Sequence, residues 1–206
     1  MKGGILLFIR SKNISTFLKD YPITASIIII QSLLFFITFI PYLPHDFIFQ
    51  YFAGVNLYIA RGELWRLITP IFVHRNFSHL LWNSCSIILL GPFLENILGK
   101  WKFTFVYIGC GLFANIASYL FLPRTYIHVG ASGAIFGLLG MYFMILIFSK
   151  GSLPAIYQKT ILTVVLLSIV ITFLQPGTNV VAHLFGLIIG VLLGWWLFNK
   201  KGLKPY

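Results

Sequence analysis

Four side chains of types that can do chemistry stand inside apolar segments of this chain. Ser132 lies in HVGASGAIFGLLG (residues 128–140), His183 in AHLFGLIIG (182–190), and His79 and Asn83 in HLLWN (79–83). A serine hydroxyl is a poor nucleophile until a neighbouring base takes its proton. His183 is the candidate base. The only carboxylates are Asp20, Asp46, Glu63 and Glu95, and none is spaced to complete a triad, so a Ser–His dyad is the most this chain can assemble. Ser132 also opens a helical segment, whose free first-turn N–H groups and positive dipole end would face an oxyanion formed there. Asn83 and His79 offer further donors to the same charge. Each residue also has a plainer reading. Ser132 can cap its helix, and the glycines can serve helix packing. His183 and Asn83 can be interhelical polar glue.

The elements that must hold these residues are membrane spans. Of 206 residues, 59% are hydrophobic and 9% charged, with a mean hydropathy of +0.93, whereas a soluble domain carries about 25% charged residues. Spans of roughly 20 apolar residues are predicted at 22–42, 79–98, 103–122, 132–148, 160–174 and 180–198. They leave a short N-terminal segment (1–21), a six-helix domain (22–198) and a basic tail (199–206), with no repeat or separate soluble domain. The apolar run from Ile5 to Ile9 is too short for a cleaved signal peptide. With the N-terminus inside, eleven basic residues fall on the cytoplasmic side, while Arg61, Arg66, Arg75 and Arg124 fall outside, as the positive-inside rule requires. Both termini are then cytoplasmic. The net charge of +11 reads as topology and attraction to anionic lipid, not as a nucleic-acid groove.

This topology sets a common depth. Ser132 lies 18 residues before Lys150, His183 17 before Lys200, and Asn83 17 before Lys100. At 1.5 Å per residue these are all roughly 25–27 Å above the inner lysines. Serine, histidine and asparagine therefore share one level just below the outer surface, with His79 one turn above Asn83 on the same face. Gly133, Gly137 and Gly140 on the fourth span, and Gly186, Gly190 and Gly194 on the sixth, form small-residue stripes that let two helices approach closely. Stripe on stripe, Ser132 and His183 become neighbours. Ser84, Ser86, Ser118 and Ser168 are expected to bond back to their own helices, and His128 to serve as a loop hydrogen-bonder. Cys85 and Cys110 lie inside spans without metal or disulfide spacing and read as small apolar fillers. No metal ligand set, HExxH motif or intramembrane carboxylate pair is present, and no cofactor is expected.

Four motifs in order resemble the rhomboid intramembrane serine proteases, in their compact six-helix bacterial form: LWRLITPIFVH (64–74), HLLWN, GASGAIFGLLG (130–140) and AHLFGLIIG. The resemblance implies an all-α bundle of six transmembrane helices with a half-embedded first outer loop. It implies Ser132 as nucleophile and His183 as general base. It assigns the oxyanion site to His79, Asn83 and the Ser132 amide, and the turn before the serine to Gly130. Gly133, Gly186 and Gly190 would be structural, as would Trp65 and Arg66, which hold the first loop. Glu95 would tie inner helix ends together. Phe136 stands where some members carry tyrosine beneath the histidine ring. The expected activity is cleavage of single-span membrane proteins near the outer face through an acyl-enzyme, with span five and the QPGTN loop (175–179) as a lateral gate beside span two. The alternative is a non-catalytic rhomboid-like protein that binds or hands on membrane clients. Oligomeric state is not encoded in these motifs.

Overall fold

The computed structural model describes residues 13–38, 47–149 and 154–199. The ends of the predicted N-terminal segment and basic tail, the close of the first span at 42, Asp46, Lys150 and Lys200 lie outside the described residues. Within them the chain is an all-α bundle. Two N-terminal helices, α1 (Ile14–Asp20) and α2 (Pro22–Ile37), meet at a 113° bend. Pro22, lacking an N–H and preset for the first turn, starts α2 where α1 ends.

The first long loop carries α3 (Phe47–Phe52), a strand β1 (Gly54–Val55), α4 (Asn56–Ala60) and two 3₁₀ turns, Leu64–Leu67 and Thr69–Phe72. The long helices follow: α5 (Phe77–Leu98), α6 (Lys100–Phe121), α7 (Ser132–Ser149), α8 (Ala155–Leu174) and α9 (Val180–Asn199). These five are long and apolar enough to cross a membrane, and the bent α1–α2 pair passes the same test together. Two predicted starts move by three residues or more. α6 begins at Lys100 instead of 103, because Gly99 at φ +74° turns the chain straight from one helix into the next. α8 begins at Ala155 instead of 160, directly after Pro154, so Lys159 lies on the helix with a stem long enough to reach the interface.

α7 forms the centre. Thirteen of its 18 residues are buried, whereas α8 buries only Ile161, Val165 and Thr172 of 20. Other apolar side chains of α8, such as Leu162, Leu166, Leu167 and Phe173, face outward, as a lipid surround allows. α7 packs against both α6 and α9, which also pack against each other, and glycine sets the distances on both sides of α7. A Cβ on Gly186 would overlap the carbonyl oxygen of Gly133, and one on Gly190 that of Gly137. On the other side, a Cβ on Gly137 would collide with Cys110, and one on Gly133 would sit 2.6 Å from the Ala114 Cβ. Cys110 is thus a small filler at a helix crossing. The predicted stripe-on-stripe packing of α7 and α9 is the arrangement observed.

A feature absent from the sequence reading joins the two loops above the bundle. β2 (Ile127–His128) pairs antiparallel with β1, setting Gly54 opposite His128. The stretch 122–131 is therefore anchored to the first long loop just before Ser132.

Candidate active site

The approach to Ser132 is built by the first loop. The Gly130 amide donates to the Pro70 carbonyl at 2.8 Å, and Gly130 adopts φ +116°, a conformation that favours glycine. A Cβ there would lie 2.5 Å from Cε1 of His79, so the His79 ring packs directly on this turn. The Ile135 amide bonds to the Ala131 carbonyl at 3.0 Å, which makes Ala131 the residue flanking the helix and Ser132 its first residue. The Ser132 hydroxyl makes no hydrogen bond among the described residues. The capping reading of Ser132 is therefore overturned: a serine one place inside the helix no longer reaches the orphan amides. Those of Ser132, Gly133 and Ala134 remain without intrahelical partners.

His183 arrives from α9. The Asn179 side chain accepts from the Ala182 amide at 2.9 Å, and the Asn179 carbonyl accepts from the His183 amide at 3.1 Å; the histidine thus stands at the end of a capped first turn. Its ring stacks on Phe136, one turn below Ser132, with centroids 4.1 Å apart and planes at 16°. Phenylalanine supplies an aromatic floor without a hydroxyl. A Cβ on Gly133 would meet the carbonyl oxygen of Ala182 at 3.6 Å, which brings the first turns of α7 and α9 side by side. Ser132 and His183 are neighbours without a hydrogen bond between them; such bonds are often long in unliganded sites. The other ring nitrogen, Nδ1, lies 2.9 Å from Oγ1 of Thr172 on α8.

On α5, Asn76 caps the helix by accepting from the His79 amide at 2.9 Å. The buried Asn83 donates from Nδ2 to the His79 carbonyl at 2.8 Å, which leaves one N–H of that amide and an unpartnered Oδ1. His74 stands edge-on to His79, with centroids 5.0 Å apart. Burial first, then His79, lowers the His74 pKa to about 3 against a raising contribution from the Phe72 backbone, so it is neutral at physiological pH. His128 departs from expectation. Both its ring nitrogens are buried without partners, because strand pairing presses the ring against Gly54 and beside Tyr126. It is a packed ring instead of a loop hydrogen-bonder, and burial lowers its pKa to about 4.

The supporting residues have defined contacts. Arg66 is buried, pairs through Nε with Glu63 at 2.6 Å and donates to the Ala53 carbonyl at 2.8 Å, with its guanidinium over the Tyr58 ring. Trp65 is half-exposed and donates to the Tyr51 carbonyl at 3.2 Å. With Leu64, Ile68 and Tyr51 it leaves the loop an outward apolar face suited to a membrane interface. Glu95 is buried at the far end of α5, and its carboxylate accepts from the Ile23 and Thr24 amides, both at 2.8 Å, and from the Thr24 hydroxyl at 2.7 Å. It fills the N-terminus of α2, where free amides and the dipole favour an anion.

A match to the Rhomboid domain runs over residues 61–200, which carries Trp65, His79, Ser132 and His183. The chain belongs to the rhomboid family. YdcA of Bacillus subtilis (strain 168), provisionally named a rhomboid protease, is 42% identical over 95% of this chain and 98% of its own length. The rhomboid protease GluP of the same organism is 33% identical over 67% of this chain, which spans only 27% of GluP. Rhomboid-like protease 2 of Toxoplasma gondii is 32% identical over 74% of this chain and 54% of its own length. This rhomboid is a multi-pass membrane protein. Its fold rests on polar residues that the sequence reading passed over. Asn56 donates to the carbonyls of Ser118, Leu122 and Pro123 where α6 ends, Asn115 to that of Leu67, and Gln31 to Ser84 at 2.7 Å. Ser84 is thus an interhelical partner, while Ser86 and Ser118 bond back as expected. An intramembrane asparagine or glutamine was the available signal, since such groups must find partners in lipid.

Proposed function

We propose that this rhomboid is an intramembrane serine endopeptidase that cleaves transmembrane segments through a Ser132–His183 dyad. The stacking of the His183 ring on Phe136, one turn below a serine with no capping duty, is the observation that carries the reading. His183 Nε2 takes the proton as Ser132 Oγ bonds to the scissile carbonyl carbon. The developing oxyanion is met by the free Ser132 amide, by the remaining N–H of Asn83 and by His79. Collapse breaks the C–N bond, and the proton on His183 leaves with the amine. Water then adds to the acyl ester, giving its proton to His183, and the serine leaves as its hydroxyl. The residues named need neither metal nor cofactor.

The site opens to the outer side in this reading, with both termini cytoplasmic. The substrate is a single-span membrane protein whose helix unwinds locally, because a helical carbonyl is held in its own hydrogen bonds. Entry runs laterally between α5 and α8, since α8 is the least buried long helix.

The test is labelling of the detergent-purified protein with a fluorophosphonate probe. Wild type should label, and Ser132→Ala and His183→Ala should not. A folded wild type that fails to label, or a Ser132→Ala variant that still labels, would overturn the assignment and return the chain to client binding.

A further inference from the structure

We propose that Thr172 is a positioning residue that fixes the tautomer of His183, an inference that rests on the dyad reading above. The Thr172 hydroxyl is 4% exposed and makes two contacts, 2.9 Å to the carbonyl of Ser168 and 2.9 Å to Nδ1 of His183. A hydroxyl has one proton to give. The Ser168 carbonyl can only accept, so a proton on that side makes Thr172 the acceptor for His183. Nδ1 then carries the hydrogen, and the Nε2 lone pair is left for Ser132. The reverse direction would leave the proton on Nε2, where it cannot take another from the serine. Back-bonding to the carbonyl four residues earlier is the ordinary habit of threonine in an apolar helix, and it sets the chain running from Nδ1–H to Oγ1 to the carbonyl.

The arrangement draws on three helices: the nucleophile from α7, the base from α9 and the orienting hydroxyl from α8. Thr172 shares its face of α8 with Ile161 and Val165, the other two residues that helix buries. It is the polar member of the set. Orientation of the base is thereby tied to the docking of the least buried long helix.

The experiment compares Thr172→Val, which keeps the shape and loses the hydroxyl, with Thr172→Ser, which keeps the hydroxyl. Fluorophosphonate inactivation is followed across probe concentration, and the ring nitrogens of ¹⁵N-histidine protein are read by NMR, the His183 signals being assigned by their loss in His183→Gln. Thr172→Val should lower the limiting inactivation rate about tenfold or more, with the half-saturating concentration unchanged, as expected for a hydrogen bond to a group that becomes charged. Thr172→Ser should stay within about twofold of wild type. The Nδ1–H tautomer should dominate in wild type and Thr172→Ser but not in Thr172→Val. A Thr172→Val rate equal to wild type, or a Thr172→Ser rate as low as that of Thr172→Val, would overturn the role. A wild type that labels while Thr172→Val labels equally sinks only this inference; a folded wild type that never labels sinks the dyad and this inference together.

Discussion

Gly190→Ala tests whether glycine contact between α7 and α9 sets the geometry of the proposed dyad. The new Cβ would overlap the Gly137 carbonyl oxygen and lie 2.7 Å and 2.8 Å from the Gly137 carbonyl carbon and Cα. Carbon atoms pack at about 3.5–4.0 Å, so the backbones must part by about 1 Å. Nothing flexible stands between them to yield. Gly190 is seven residues below His183, roughly 10 Å along the helix, which is close enough for the separation to reach the first turn. Overpacking of this kind costs about 1–3 kcal/mol, and a misplacement near 1 Å can slow chemistry about 100-fold. Gly109→Ala on α6 is the control, because a Cβ there meets no atom within 4 Å. Thermal unfolding in detergent and fluorophosphonate labelling rates are measured on wild type and both variants. The expected result is a destabilised Gly190→Ala with labelling slowed about 100-fold, beside a Gly109→Ala that labels normally. A folded Gly190→Ala that labels at the wild-type rate would refute the argument that helix spacing positions the dyad.

Removal of the carboxylate in Glu95→Ala strands two amides and a hydroxyl at the start of α2 and should cost about 2–4 kcal/mol; thermal unfolding reads it, and an unchanged midpoint would show that α2 needs no anion. Acid should weaken the protein through its buried loop histidines. Folded-state pKa values of about 4 for His128 and about 3 for His74 lie below the ordinary 6.5, so the unfolded chain binds protons first. Their stabilising contribution is full above pH 6.5 and is lost as pH falls from there toward the folded values. Each contributes a slope of up to about 1.4 kcal/mol per pH unit in that window. His128→Phe should flatten the fall of the unfolding midpoint between pH 6.5 and pH 4, and an unchanged slope would contradict the buried, neutral ring.

Read alone, the chain already yielded the long apolar helices and the pairing of α7 with α9. Hydropathy and four-residue glycine spacing are local or periodic quantities, and a helix converts them directly into length and face. The fate of Ser132 was not local: whether it caps its helix or stands inside it depends on Ala131 and on the Pro70 carbonyl that holds Gly130. The strand pairing that buries His128 joins residues 54 and 128, a separation that no periodicity reports. Thr172 looked like any other threonine on a lipid-facing helix. Only the docking of α8 against α9 brought its hydroxyl to Nδ1 of His183, because a contact between two helices depends on their rotation and height together, and a single sequence fixes each helix without fixing the pair.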